Sequence, residues 1–114
     1  MKRDINLFIQ DILENIKDIE SFSKGLNKEK FENDKLKQNA VIRSLEIIGE
    51  AVKNIPNALR VRYPEIPWKN IAGFRDVIIH GYFGIDLDLV WKIIKEDLIK
   101  LKKDIQRVSK EFKK

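Results

Sequence analysis

Residues Ile5–Phe22 read INLFIQDILENIKDIESF, and in them Ile5, Phe8, Ile9, Ile12, Ile16, Ile19 and Phe22 recur at steps of three and four. A helix turns by about 100° per residue, so this spacing gathers the seven side chains on one stripe. An amphipathic helix is expected here, and its stripe requires partners to cover it.

The chain supplies those partners. Val41, Leu45, Ile48, Val52 and Ile55 are spaced four, three, four and three, and the run ends at Pro56. Val90, Ile94, Leu98, Leu101, Ile105, Val108 and Phe112 form a third stripe, with Asp86 placed to cap the helix that carries it. After the first helix, Gly25 provides a C-cap and Asn27 can cap the next segment. Asn57–Tyr63 has room for one or two turns before Pro64 and Pro67 interrupt the chain. From Trp68 a shorter helical pattern runs through Ile71, Phe74, Ile78 and Ile79 until Gly81 and Gly84 turn the backbone. No strand is expected. The economical arrangement is an all-α, up-and-down helical bundle with three long helices and one or two shorter ones. It forms a single domain over residues 1–114, without a linker or an internal repeat.

Composition narrows the function. The 114 residues are 43% hydrophobic and 36% charged, enough for one core and too few for two ordinary domains. Lysine and arginine outnumber acids 23 to 18, which gives +5, a charge that permits polyanion binding without establishing it. The absence of cysteine removes disulfides, thiol catalysis and thiolate metal sites. No apolar run approaches the roughly 18 residues of a membrane span. The amino terminus starts basic but meets acids at once, so it is read as mature structure of a cytoplasmic protein with no membrane attachment. With one histidine, and with Asp86 and Asp88 better read as capping acids, neither a metal nor a cofactor is expected. The five glycines, at 25, 49, 73, 81 and 84, do not have the spacing of a phosphate loop or a dinucleotide fingerprint.

The remaining chemistry is concentrated in RDVIIHGYF, Arg75–Phe83, where a guanidinium, a carboxylate, the imidazole and a phenol fall within eight positions. A lone histidine beside an apolar run is more often structural than catalytic, and the residues alone leave both readings open. The arrangement of Arg75, four residues, His80, one residue and Tyr82 resembles the signature of HEPN-domain ribonuclease toxins. NAVIRSLEIIGEAVKNIP (39–56), YPEIPWKNIAGFRDVIIHGYF (63–83) and a long last helix beginning near DLDLVW extend the likeness to the HepT-like branch nearly end to end. The resemblance implies a HEPN-like bundle that forms a homodimer and cuts RNA without metal, as the toxin of a type VII toxin–antitoxin pair. Its implied partner is an MntA-like nucleotidyltransferase antitoxin, which silences such toxins by adding AMP to the tyrosine that is Tyr82 here.

The residue types suit that reaction. Cleavage through the 2′-hydroxyl needs a base, an acid for the departing 5′-oxygen, and positive charge at the transition state. His80 is assigned proton transfer and Arg75 charge stabilisation, since imidazole titrates near neutrality and guanidinium can grip two phosphate oxygens. On an ideal helix, residues five apart point about 140° away from each other, whereas Arg75 and Tyr82 nearly align. Either the helix is distorted near Gly81 or the arginine bends round. A two-fold dimer also offers a composite site with two arginines and two histidines. Asp76 is a supporting candidate, as a partner for the guanidinium or for a symmetry-related group, or else as a solvated acid. Tyr82 can stack on a base, bond a phosphate or serve as an interface aromatic, and AMP there would block the groove and repel RNA.

Other residues have two readings each. Arg43, Glu46 and Glu50 share one face of the second long helix, either as a salt-bridged surface or reaching toward the motif. Trp68 and Trp91 read as packing aromatics. Lys100, Lys102, Lys103, Arg107, Lys110, Lys113 and Lys114 either attract RNA or simply solubilise. Two further readings of the whole chain stay open: a non-catalytic helical binding module that partners a nucleotidyltransferase, and a structural dimer whose histidine satisfies a hydrogen bond.

Overall fold

Asp4 begins the first helix by accepting a hydrogen bond from the Asn6 amide through its side chain (2.9 Å), which satisfies one of the free donors at a helix start. The computed structural model describes residues 4–79 and 84–112. In it the first stripe becomes α1 (Ile5–Ser23), with Ile9, Ile12, Ile16 and Ile19 at most 2% exposed. Ser23, buried in the last turn, donates its hydroxyl to the Ile19 carbonyl at 2.7 Å. The chain then turns at Gly25 (φ 76°).

Asn27 caps a helix of five residues, α2 (Lys28–Glu32), by accepting from the Lys30 amide. Phe31 holds this helix down. It is fully buried and its ring lies 5.5 Å from that of Trp91. The Gln38 side-chain amide closes the far end by donating to the Phe31 and Glu32 carbonyls. Asp34 then caps α3 (Lys35–Lys53). Arg60, at the end of α4 (Asn57–Arg60), reaches back with its guanidinium to the carbonyls of Val52 and Ile55 and so ties α4 to the C-terminal end of α3.

The pattern beginning at Trp68 is not one helix but two. α5 (Trp68–Ala72) and α6 (Phe74–Ile78) meet at Gly73, whose φ of −94° and ψ of 13° interrupt the ladder. Each contributes buried anchors, Trp68 and Ile71 from the first, Phe74 and Ile78 from the second. The Trp68 indole N–H donates to the Tyr63 carbonyl in the interior.

The long last helix starts where expected, with Asp86 accepting from the Leu89 amide at 3.0 Å. It is α-helical over α7 (Leu87–Lys92), widens into a π segment (Ile93–Asp97), and continues as α8 (Leu98–Phe112). α1 packs against both α3 and α8. It runs antiparallel to α8, since Glu20 pairs with Lys102 at 3.1 Å while Ser23 shares a cavity with Ile94. The fold is all-α, and the described residues contain no strand, only an isolated bridge. The three long helices match expectation. The short helices number four among the described residues, where the sequence pattern pointed to one or two.

Candidate functional site

Gly49 determines how the motif-bearing segment sits on the bundle. A glycine inside a helix costs about 1 kcal/mol relative to alanine, so its presence in α3 calls for a packing reason. The reason is proximity: a Cβ built at Gly49 would stand 3.2 Å from the Ala72 carbonyl oxygen and 3.4 Å from that of Ile71. α5 therefore rests its carbonyl end directly on α3, and α6 begins two residues later.

α6 presents Arg75, Asp76 and Val77 to solvent while Phe74 and Ile78 face inward. The Arg75 side chain is 67% exposed, and its Nε lies 3.6 Å from Oε2 of Glu46, which is 28% exposed. Glu46 therefore reaches toward the motif, whereas its neighbours on that face do not. Glu50 pairs with Lys53 on its own helix, and Arg43 is exposed with no ion pair among the described residues. Asp76 is exposed and, among the described residues, forms no ion pair with Arg75, because adjacent helical residues point about 100° apart. The arginine's acidic partner comes from another helix.

The helix ends before the histidine. Ile79 is extended (φ −109°, ψ 118°) and forms an antiparallel bridge with Ile85, while the Asp86 amide donates to the Ile78 carbonyl at 2.8 Å. An ideal-helix extrapolation from Arg75 to residue 80 therefore breaks at Ile79. Gly84 stands at φ 83°, in the left-handed region where a side chain is strained. His80 and Tyr82, the proposed proton-transfer residue and modification site, lie outside the described residues.

The remaining candidates separate clearly. Trp68 is buried, and Trp91 packs on Phe31 with the Lys95 ammonium 4.8 Å above its ring. Of the basic stripe on α8, Lys102 pairs with Glu20, and Arg107 pairs with Glu65 and covers the Tyr63 ring. Lys100, Lys103 and Lys110 are exposed and form no ion pair among the described residues. Asp88 pairs with Lys28 at 2.7 Å, and the neighbouring carboxylate holds that ammonium's pKa above its usual value. A cavity of about 300 Å³ lies behind Phe74, lined also by Ile71, Leu101 and Asp104, whose Oδ2 is buried without a hydrogen-bond partner. Among the described residues, no three of His, Asp and Glu are grouped to hold a metal ion, and no helix is long and apolar enough to cross a membrane.

Sequence comparison adds the relatives. A protein named "Putative RNase" from Methanocaldococcus jannaschii is 49% identical over 107 residues, covering 94% of this chain and 98% of its own length. "Probable ribonuclease HepT" of Thermococcus cleftensis is 48% identical over 110 residues, covering 96% of this chain and all of its own. A second M. jannaschii protein, "Gamma-glutamylcyclotransferase and putative RNase", is 44% identical over all 114 residues, which span 51% of that relative. No solved structure matches. Residues 12–108 match the family described as "Ribonuclease HepT-like", and with this coverage and these identities the chain belongs to the HepT-like ribonuclease family.

Proposed function

We propose that this protein is an endoribonuclease that cleaves RNA by attack of the 2′-hydroxyl on the adjacent phosphate, without a metal ion. The observation that carries this reading is the position of Arg75. Within a member of a ribonuclease family, a guanidinium stands 67% exposed on a short helix, anchored on one side and open on the other. His80, five residues on, transfers protons, taking one from the 2′-hydroxyl or giving one to the departing 5′-oxygen. Arg75 stabilises the negative charge that grows on the phosphate. Asp76, which does not pair with Arg75 of its own subunit, supports the site by pairing with a symmetry-related group across the two-fold axis.

One histidine per chain supplies either a base or an acid. A homodimer supplies both, in a composite site across its two-fold axis. Val77, within the motif, and Ile85, just after it, are apolar and exposed, the kind of surface such an interface would cover. The active unit in this reading is the single domain of residues 1–114, acting in the cytoplasm as the toxin of a type VII toxin–antitoxin pair. Its MntA-like nucleotidyltransferase antitoxin attaches AMP to Tyr82, and the added phosphate excludes RNA from the groove by bulk and like charge.

The test is cleavage of labelled RNA in the presence of a chelator by the native chain, Arg75→Ala and His80→Ala, with the product ends mapped. Each substitution is expected to lower the rate by about 10³-fold or more while the helical dimer persists, and the native products should carry a 2′,3′-cyclic phosphate. Unchanged cutting by either variant would sink the assignment. A dimer that binds RNA or the nucleotidyltransferase but never cuts would favour a non-catalytic binding module.

A further inference from the structure

We infer that Glu46 is a positioning residue for the reaction, holding Arg75 by its Nε edge so that the terminal Nη pair faces the RNA phosphate. The inference rests on the ribonuclease reading above and deepens it. A guanidinium has two edges that can each meet an oxyanion side-on, and an arginine on a short, solvent-facing helix would sample many rotamers if nothing held it. Glu46 occupies one edge. Its carboxylate lies 3.6 Å from Nε and sits deeper than the arginine, 28% exposed against 67%, so it braces the guanidinium from behind and leaves the outward edge free. Lysine at position 75 would keep the charge and lose this division of edges.

The fold makes this contact through Gly49. Glu46 precedes Gly49 by three residues on α3, and Arg75 follows Ala72 by three across the Gly73 break. Because no side chain separates Gly49 from the Ala72 carbonyl, α3 and the α5–α6 junction approach closely enough for the two charged groups to meet. The glycine and the glutamate thus work together, one setting the distance and the other using it.

The test measures kcat and KM for RNA cleavage by the full chain. Glu46→Gln is expected to lower kcat by about 10- to 100-fold, the scale of a small misplacement of a reacting group, with KM changed by less than about twofold. Glu46→Asp, which keeps the charge on a shorter arm, should recover part of the loss. In an Arg75→Ala background Glu46→Gln should have no further effect, since it acts through the arginine. Glu50→Gln, on the same face but paired with Lys53, should cut like the native chain. A second measurement needs no turnover: ¹⁵N relaxation of the Arg75 Nε signal should report a lower order parameter in Glu46→Gln, as the guanidinium gains rotamer freedom without its ionic partner. Gly49→Ala should reproduce both changes by pushing the Ala72 carbonyl away.

The outcomes are distinct. Native-like kcat in Glu46→Gln, alongside loss of activity in Arg75→Ala, would overturn this inference alone. An unchanged Arg75 signal in Glu46→Gln would do the same. If Arg75→Ala itself cuts like the native chain, the ribonuclease assignment of Arg75 falls and the role of Glu46 falls with it.

Discussion

α1 and the pair α5–α6 are built on opposite principles. α1 is one uninterrupted helix of 19 residues that buries four isoleucines and is covered by two other long helices. α5 and α6 have five residues each, break at Gly73, and leave Arg75, Asp76 and Val77 in solvent. The first is held by area removed from water, worth about 25 cal/mol per Å². The second is held by a few apolar anchors together with specific contacts: Gly49 against the Ala72 carbonyl, the Ile79–Ile85 bridge, and the Asp86 amide on the Ile78 carbonyl. The motif is thus carried by a short segment whose placement is fixed by backbone contacts and a few anchors, and not by a continuous apolar stripe.

That contrast can be broken most sharply in α1. Ile12 is fully buried, and Ile12→Ala should cost about 2–5 kcal/mol in urea unfolding, with the cleavage rate per folded molecule unchanged. Equal losses of stability and of specific activity would mean that the two regions are coupled. A smaller effect is expected at the return from the motif, where Asp86→Ala removes the acceptor of the Leu89 amide and should cost about 1 kcal/mol. The change should appear as faster amide exchange at Leu89 before any shift in α1.

The smallest expected effect concerns neither region and serves as a control for both. Tyr63 donates its hydroxyl to Glu111, and that bond, then burial, raises the phenol's pKa above its usual value. A raised pKa means that the folded state favours the neutral phenol. The contribution is therefore complete below about pH 10, where the unfolded phenol titrates, and is lost as pH climbs through the higher folded value. The Tm of the native chain should fall more steeply between about pH 9 and 11 than that of Tyr63→Phe, as read by circular dichroism. Parallel slopes would remove Tyr63 from the account.

The same division explains which parts of the molecule were legible in the sequence. The stripes of α1, α3 and the last helix could be read because burial on one side imposes a period, and Asp86 and Asn27 could be read because capping is local chemistry. α2 could not, since five residues with one buried anchor, Phe31, carry no period. The π segment could not either: both Ile93 and Ile94 are buried there, yet the doublet Ile47–Ile48 lies in an ordinary α-helix. At the site, the sequence placed Arg75 beside Asp76 and left Glu46 with two readings. Ion pairing across helices depends on how far apart the axes stand, and here a missing side chain at Gly49 sets that distance.

The widened turn at Ile93–Asp97 has a consequence for how this chain tolerates changes in length. Bonding to the fifth residue along instead of the fourth accommodates one surplus residue. Removing a single solvent-facing residue such as Lys95 would let the turn tighten to ordinary α geometry while Leu98, Leu101 and Ile105 keep facing α1. The same deletion inside α8 would rotate everything beyond it by about 100° and turn the apolar side outward. The last helix thus has one place where its reading frame of burial can absorb a deletion.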